Sequence, residues 1–497
     1  MKTATDKLYR LIKSMSPAEK RYFKRHYGSN TNTLTDLFDV INGQKSYDEE
    51  AVKEAFSDKV ASNLKVYKFQ LEQLLLQSLV SYRYFSNVGS KIRQGLEQVE
   101  ILAERNLIDM AMKQLDKTKQ ICLKYEEFPY LVEICAKEFR LKYIRVDGHL
   151  VSSHPSFDEH RHYLNLLEYQ NELTSLANQI ADMVPQYPYP TPKEKDKAQK
   201  LLQHDLLAKP HPDSPIRSSF TIAQAKGNLN ILLGDFAEAL KHFEYSVDLF
   251  QKDKALKEHF AFYYLMALRR SIYCSVKAVD VACAKKRIEE ANQFLTKKQQ
   301  YQTHLIFIVK AELQLSILTG GKFLKQQQLE RKISRLVRHF NLKNELVVAE
   351  IYLMLAYNLT ILRNYASALD YLQILATTDK VTYSFAQETA ALMELVNLYE
   401  QGDEVKLNKR LKVLRKKGNK NSYYEDSEVY QEFLDFFQTL QEPEADQAEK
   451  AAQLLDKWGE QQPDRVLRQI KEMHLDAWLK GKAESKPLVR ILNAELD

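Results

Sequence analysis

One stretch limits the architecture of this chain more than any other: Thr221 to Phe250, TIAQAKGNLNILLGDFAEALKHFEYSVDLF. It reads as two antiparallel helices hinged at Leu233-Gly234-Asp235. Gly234 suits a left-handed end to the first helix, and Asp235 suits the cap of the second. Gly227 stands inside the first helix, where glycine costs about 1 kcal/mol against alanine. A neighbouring helix is therefore expected to approach closely there. Phe236, Ala239, Leu240, Phe243 and Val247 recur at helical spacing and form one apolar face. Ala239 is small where two helices cross, and Phe243 is large one turn later, where a gap must be filled.

Gly227, the run Gly234-Asp235-Phe236, Ala239 and Phe243 stand at the spacing of the tetratricopeptide repeat, which this stretch resembles. The usual aromatic at the start and proline at the end are absent. The resemblance implies an all-α fold: a right-handed superhelical array of antiparallel helix pairs, a TPR-like α-solenoid. One such unit cannot bury its own apolar face and needs neighbours. The second helices of successive pairs align on Phe236, Val281, Phe323, Tyr365 and Glu404. The turns before them are Gly234-Asp235, Val279-Asp280, Gly320-Gly321, Arg363-Asn364 and Gly402-Asp403. The period is thus near 42, longer than the 34 of the tetratricopeptide repeat.

Prolines mark the main seam. Pro185, Pro188, Pro190, Pro192, Pro210, Pro212 and Pro215 cluster together, and none then occurs until Pro443. VPQYPYPTP reads as extended, because proline restricts the residue before it, and a short helix is expected at Lys193–Leu207. The expected divisions are a basic helical module at 1–90, helical hairpins with degenerate repeats at 91–184, and the proline-rich seam at 185–216. The array follows at 217–420, then an acidic segment and capping helices at 421–497. Capping boxes are expected at Ser16-Pro17-Ala18-Glu19 and Ser46-Tyr47-Asp48-Glu49. In the hairpin of Lys91–Tyr125 the bend falls at Arg105-Asn106, and Ile108, Ala111 and Leu115 take the places of Phe236, Ala239 and Phe243. Near the C-terminus, helices are expected at Ala445–Gly459 and Asp464–Trp478, with Trp458 and Trp478 covering the last repeat. The whole chain also resembles bacterial proteins that open on an LIKSxSxxEKRYFK-type run, here Leu11 to Lys24, a resemblance that implies no activity.

With 13 glycines and 13 prolines in 497 residues, turn formers are scarce and the helices must be long. Hydrophobic residues are 44% and charged residues 28%, a balance that excludes global disorder. No signal-peptide core and no run of about 18 apolar residues is seen, so a cytoplasmic protein is expected. Cys122, Cys135, Cys274 and Cys283 lack zinc-site spacing and read as buried small apolar residues, a Cys122–Cys135 redox pair being the lesser alternative.

Charge is uneven. Lys2, Lys7, Arg10, Lys13, Lys20, Arg21, Lys24 and Arg25 face only Asp6 and Glu19 within the first 26 residues. The simplest reading is a solvated face that complements helix C-termini. The sharper one is a contact with nucleic acid or another acidic partner, with Ser62–Phe85 presenting Lys65 and Lys68 outward. A second basic run, Lys406–Lys420, is expected to pair with the acidic stretch Glu425–Glu449. Within the array, Gln224, Asn228, Arg269, Tyr273 and Lys277 fall at inner-face positions. Arg269, Tyr273 and Lys277 stand four apart and share one stripe, suited to a peptide carboxylate or an acidic helix.

His149, His154, His160 and His162 gather near Asp147, Asp158 and Glu159, but His160 and His162 project about 200° apart on a helix. A polar loop and helix start is the expected reading, and no metal site or cofactor is expected. No phosphate-binding, dinucleotide-binding, nucleophile-elbow or zinc-protease motif occurs. The expectation is a non-enzymatic interaction scaffold that holds a peptide or protein partner in the groove of the array. The alternative is a nucleic-acid-associated regulator using the basic module.

Overall fold

The structure, a computed structural model, describes the chain except residues 1–5, 28–31, 84–86, 146–154, 187–189, 209–214, 298–303, 322–329, 332, 335–345, 377–379, 417–426, 441–443, 461–466, 468–469, 472 and 495–497. Among the described residues there are 26 helices and no strand. The chain divides into two compact units, Met1–Thr174 and Ser175–Asp497.

The first unit begins with α1 (Lys7–Ser14), α2 (Pro17–Tyr27), α3 (Asn32–Gly43), α4 (Glu49–Glu54), α5 (Asp58–Ser62) and α6 (Leu64–Arg83). These enclose Leu8, Ile12, Phe23, Phe38, Ile41, Leu71 and Leu75. The capping box at α2 forms as expected: Glu19 N–H donates to the Ser16 hydroxyl at 3.3 Å, and Ser16 N–H donates to the Glu19 carboxylate at 2.8 Å. The box expected at Ser46 does not form. Asp48 caps α4 instead, because its carboxylate accepts from both Glu50 and Ala51 N–H. Next come α7 (Val88–Glu104), α8 (Ile108–Tyr125), α9 (Phe128–Arg145) and the part of α10 (Pro155–Gln186) up to Thr174, around Ile92, Val99, Ala111, Leu115, Leu131 and Ile134. The bend between α7 and α8 lies at Asn106, with φ of 58°.

In the second unit, α11 (Pro192–Leu202) and α12 (Asp205–Ala208) replace the single helix expected at Lys193–Leu207. α10 also runs to Gln186, into the stretch expected to be extended. There follow α13 (Ile216–Leu233), α14 (Phe236–Gln251), α15 (Lys254–His259), α16 (Ala261–Lys277), α17 (Val281–Lys297) and α18 (Leu305–Leu318). The second helix aligned on Phe323 begins outside the described residues. Then come α19 (Leu346–Ile361), α20 (Tyr365–Ala376), α21 (Lys380–Gln401) and α22 (Glu404–Lys416). The chain continues through α23 (Glu428–Thr439), α24 (Glu444–Glu460), α25 (Leu475–Ala483) and α26 (Leu488–Ala494).

One turn recurs. Gly234, Val279, Gly320, Arg363 and Gly402 all have positive φ, between 59° and 85°. After each, an N–H reaches back to a carbonyl five residues earlier: Asp235 to Asn230, Asp280 to Ser275, Gly321 to Ser316, Asn364 to Leu359 and Asp403 to Leu398, at 2.8 to 3.0 Å. This closes the first helix. Asp235, Asp280, Asn364 and Asp403 then accept from an N–H three residues on and so open the second. The small-then-large rule also repeats: Ala239, Ala284 and Ala368 are fully buried, as are Phe243, Ile288 and Leu372 one turn later. A Cβ on Gly227 would lie 2.4 Å from Phe243 Cζ, which is why no larger residue stands there.

The two helices of each pair differ in surroundings. α14 is amphipathic and buries Ala239, Phe243, Ser246, Val247 and Phe250. α19 is buried without a break from Leu355 to Ile361, and α21 is buried from Thr389 to Leu398 except at Glu394. A helix apolar on all sides must be covered on all sides. The C-terminal segment supplies part of that cover. The helix expected across Asp464–Trp478 breaks at His474, which takes φ of 51° and restarts the chain as α25. The break places the His474 carbonyl to accept from the Tyr357 hydroxyl at 2.5 Å. Trp478 donates to Glu400 at 2.9 Å and stacks on Phe437, and α26 touches α18. Trp458 and Trp478 are buried as expected, but the segment covers three first helices rather than the last repeat alone.

A buried ionic joint ties α14, α15, α16 and α17. Arg287, 2% exposed, grips Glu244 with two hydrogen bonds of 2.9 and 2.6 Å and Glu290 with one of 2.8 Å. Ser271 donates to Glu244, and Tyr264, Gln251 and Lys257 donate to Glu290. Burial raises the Glu244 and Glu290 carboxyls, yet Arg287 and the surrounding donors outweigh it and hold both below the ordinary range.

Gly227→Ala should destabilise the protein by about 2–3 kcal/mol through overpacking against Phe243. Gly459→Ala, a helical position with nothing near its added Cβ, should be neutral or stabilising by up to about 1 kcal/mol; denaturant melts measure both. Arg287→Met should cost about 1–3 kcal/mol at pH 7, because it takes the guanidinium partner from two half-buried carboxylates. Carboxyls held low stabilise the wild type above their ordinary values and lose that stabilisation as pH falls. The variant's deficit should therefore shrink between pH 7 and pH 4, as read from melts across that range.

Candidate functional site

α16 presents one stripe that its neighbours cover only in part. Phe262, Met266, Arg269, Tyr273 and Lys277 recur three or four residues apart, so they share a face. Phe262 is 47% exposed and Lys277 is exposed, while the three between are half-buried. The stripe runs over 16 residues, about 22 Å of helix. Arg269 lies flat against Phe307 of α18, its guanidinium carbon 3.7 Å from the ring centroid. Phe307 is itself 37% exposed. His304 stands at the N-cap of α18 and meets Phe262 edge-on at 6.0 Å. Arg270 follows Arg269, half-buried.

The electrostatics of this face are one-sided. Burial, together with the neighbouring Arg270 charge, lowers Arg269 to about 10, so it stays charged at neutral pH. Burial lowers Arg270 too. Among the described residues, neither guanidinium makes a hydrogen bond or ion pair, in contrast to Arg287. Burial and Arg269 lower His304; burial and Lys277 lower His474 to about 4. Among the described residues, no carboxylate is one of the charges that shift Arg269, Arg270 or His474. Such a surface suits an anion, since guanidinium edges without acceptors form charge-assisted hydrogen bonds to one.

Of the five array residues singled out from the sequence, the structure brings Arg269, Tyr273 and Lys277 together and removes the other two. Gln224 is 7% exposed and donates to Ser246 of α14 at 3.2 Å. Asn228 is 4% exposed, packed inside the unit, with its carboxamide oxygen unmatched. Both lie on a helix buried on nearly every side, so neither faces an open groove. Sequence reasoning missed Phe262, Arg270, His304 and Phe307. Phe262 was within reach, because it continues the same three-and-four spacing. His304 and Phe307 join only because α18 packs beside α16.

The basic residues of the first unit are mostly committed. Lys13 donates to the Asn42 carbonyl and Lys20 to the Asn42 side chain, both at 2.7 Å, at the C-terminal end of α3. This is favourable placement of positive charge. Lys24 pairs with Asp39 at 2.6 Å. Lys68 donates to Glu49 at 2.6 Å and to Tyr47 at 2.7 Å. Burial lowers Lys68, but those two partners outweigh it and hold the ammonium above the ordinary lysine value. Arg10 lies 4.0 Å from Asp6 with both side chains exposed. Lys7, Arg21, Arg25 and Lys65 are exposed. On α6, Lys65 is exposed as expected while Lys68 is half-buried, and Val66, Phe69, Leu76 and Val80 are exposed as well.

The remaining candidates are placed as follows. Glu159 pairs with Lys119 and His162 lies edge-on to Tyr163, while His149, His154 and Asp147 fall outside the described residues. No group of side chains that could hold a metal ion occurs among the described residues. The four cysteines are free, and burial pushes the Cys122 and Cys274 thiols up to about 12. In the second basic run, Arg415 meets Asp435 of the acidic stretch at 2.5 Å and Arg410 meets Glu394 at 2.8 Å.

A histidine held below its ordinary value stabilises the fold while neutral. That contribution is present above about pH 6.5 and is lost as pH falls toward 4. His474→Asn keeps a residue that tolerates positive φ. It should lose about 2 kcal/mol less stability than wild type between pH 6.5 and pH 4, as read from denaturant melts.

No helix among the described residues is long and apolar enough to cross a membrane. Compared with models of known protein families, with curated proteins and with solved structures, the chain matches none.

Proposed function

We propose that this protein is a non-enzymatic interaction scaffold whose second unit is a TPR-like, right-handed superhelical array, and that the α16 stripe holds an acidic segment of a protein partner. The array reading draws on the five positive-φ turns and on the repeated alanine and large-residue positions, at a period near 42. The partner reading rests on one observation: Arg269 and Arg270 stand half-buried without an acceptor, while Arg287, on the next helix, is fully paired. Uncompensated cations held in a partly dry site are costly to the protein alone and are relieved by an anionic ligand. Exposed Phe262 and Phe307 beside them give the aromatic-and-arginine composition favoured at protein interfaces. No cofactor is needed for this role, and a cytoplasmic setting suits it.

The nucleic-acid alternative draws less support. Lys13, Lys20, Lys24 and Lys68 are spent within the first unit, and of the two bases expected outward on α6 only Lys65 is exposed, among Val66, Phe69, Leu76 and Val80.

Affinity purification of the full chain, with mass spectrometry at two salt concentrations, tests the scaffold reading. Arg269→Glu with Lys277→Glu should reduce captured partners at least tenfold, and the wild-type complexes should weaken with salt. Lys286→Glu, an exposed charge change on α17, should leave them in place. Retention of the same partners by the double variant would sink the proposal.

A further inference from the structure

α6 turns a seam of side chains to solvent. Val66, Phe69, Gln73, Leu76 and Val80 are all exposed, Phe69 at 62% and Val80 at 68%. They stand three, four, three and four residues apart, so at about 100° per residue they fall within an arc of roughly 80°. Leu64, Leu71 and Leu75 lie on the opposite side and are buried in the module core, where α2, α3 and α5 pack against α6. We propose that this seam pairs with the same seam of a second copy of the chain, as a short, parallel, in-register coiled coil.

Alternating steps of three and four are the a and d pattern of a coiled coil. Val66 and Val80 take a positions, and Phe69 and Leu76 take d positions. β-branched residues at a with leucine at d favour two strands. Gln73, at the central a position, is what selects the occupant. Its carboxamide both donates and accepts, so a second carboxamide completes it. A parallel copy in register sets Gln73 against its own counterpart. A slip of one heptad sets it against a valine, and an antiparallel copy sets a against d, which leaves the amide facing Phe69 or Leu76. Either arrangement strands a polar group in an apolar seam.

The flanks permit self-pairing. Lys65 and Glu72 stand at g positions, Gln70 and Gln77 at e positions. In a parallel pair each g side chain meets the e side chain five residues on in the second copy. Lys65 therefore meets a Gln70 and Glu72 a Gln77, so no like charges are opposed. The seam is short, about 21 Å from Val66 to Val80. Pairing covers on the order of 1,000 Å² in total, the size of a weak, reversible contact. Because the helix is already held by its own module, association orders side chains only.

Sedimentation velocity of the full chain from about 1 to 200 µM tests this, with half-association expected in the tens of micromolar. Phe69→Lys and Val80→Lys each set like charges across the seam. Each should weaken pairing at least about tenfold, and thermal melts should stay unchanged because both positions are exposed. Pairing should hold or tighten as salt rises, since the seam is apolar and each copy carries a net charge of +6. Gln73→Cys, oxidised with copper phenanthroline, should give a disulfide-linked dimer on a non-reducing gel. Wild type, whose Cys122, Cys135 and Cys274 are buried, should not. A single-copy mass across the whole range would overturn the proposal without recourse to any variant. A dimer that survives both lysine substitutions, or that dissociates as salt rises, forms through another surface and would overturn it too. A dimer in which Gln73→Cys does not cross-link would refute the in-register pairing.

Discussion

A residue held at positive φ closes each first helix of the second unit, and the packing around it depends on that turn. Gly234, Gly320 and Gly402 adopt it at little cost. Val279 and Arg363 adopt it against a steric penalty of roughly 1–2 kcal/mol. The fold retains them because the turn does three things in two residues. It satisfies a helix-end carbonyl through an N–H five positions on, it reverses the chain, and it delivers an Asp or Asn to cap the next helix. Any longer connection would lose the register that sets Ala239 and Phe243 of the second helix against Gly227 of the first.

Given those turns, the helices sort into two kinds. Second helices such as α14 keep a wet face. First helices such as α19 and α21 are apolar around most of their circumference and need cover beyond their own pair. The C-terminal segment provides it, and the break at His474 is what lets that segment turn onto Tyr357, Glu400 and α18. α16 is different. Its ionic joint through Arg287 is complete, whereas Arg269 and Arg270 on its other side make no hydrogen bond or ion pair among the described residues. That contrast is what supports the proposed partner surface.

Local signals were legible wherever a residue type has one physical use. Gly227, the Ser16–Glu19 box and the turn dipeptides could be read because each answers a local steric or hydrogen-bonding demand. Other features were not legible because they depend on partners far along the chain. Ser46 carries a capping signature, but Asp48 competes for the same amides and wins with a charged acceptor. Gln224 and Asn228 stand at inner-face positions by alignment, yet neighbouring helices bury them. Lys68 looks like an outward base until Glu49 and Tyr47 are brought to it.

The sequence by itself determined the helical class, the hairpin turns, the small-and-large rule of the pairs and the Arg269, Tyr273, Lys277 stripe. These follow from spacings of a few residues, over which backbone geometry is nearly fixed. Only the tertiary structure decided that Arg287 is spent while Arg269 and Arg270 are not, that Phe307 and His304 join the stripe, and that the C-terminal segment covers the first helices. Each of those outcomes depends on which side chains meet across long sequence separations. Helical periodicity tells which face a residue is on, but not what stands opposite it.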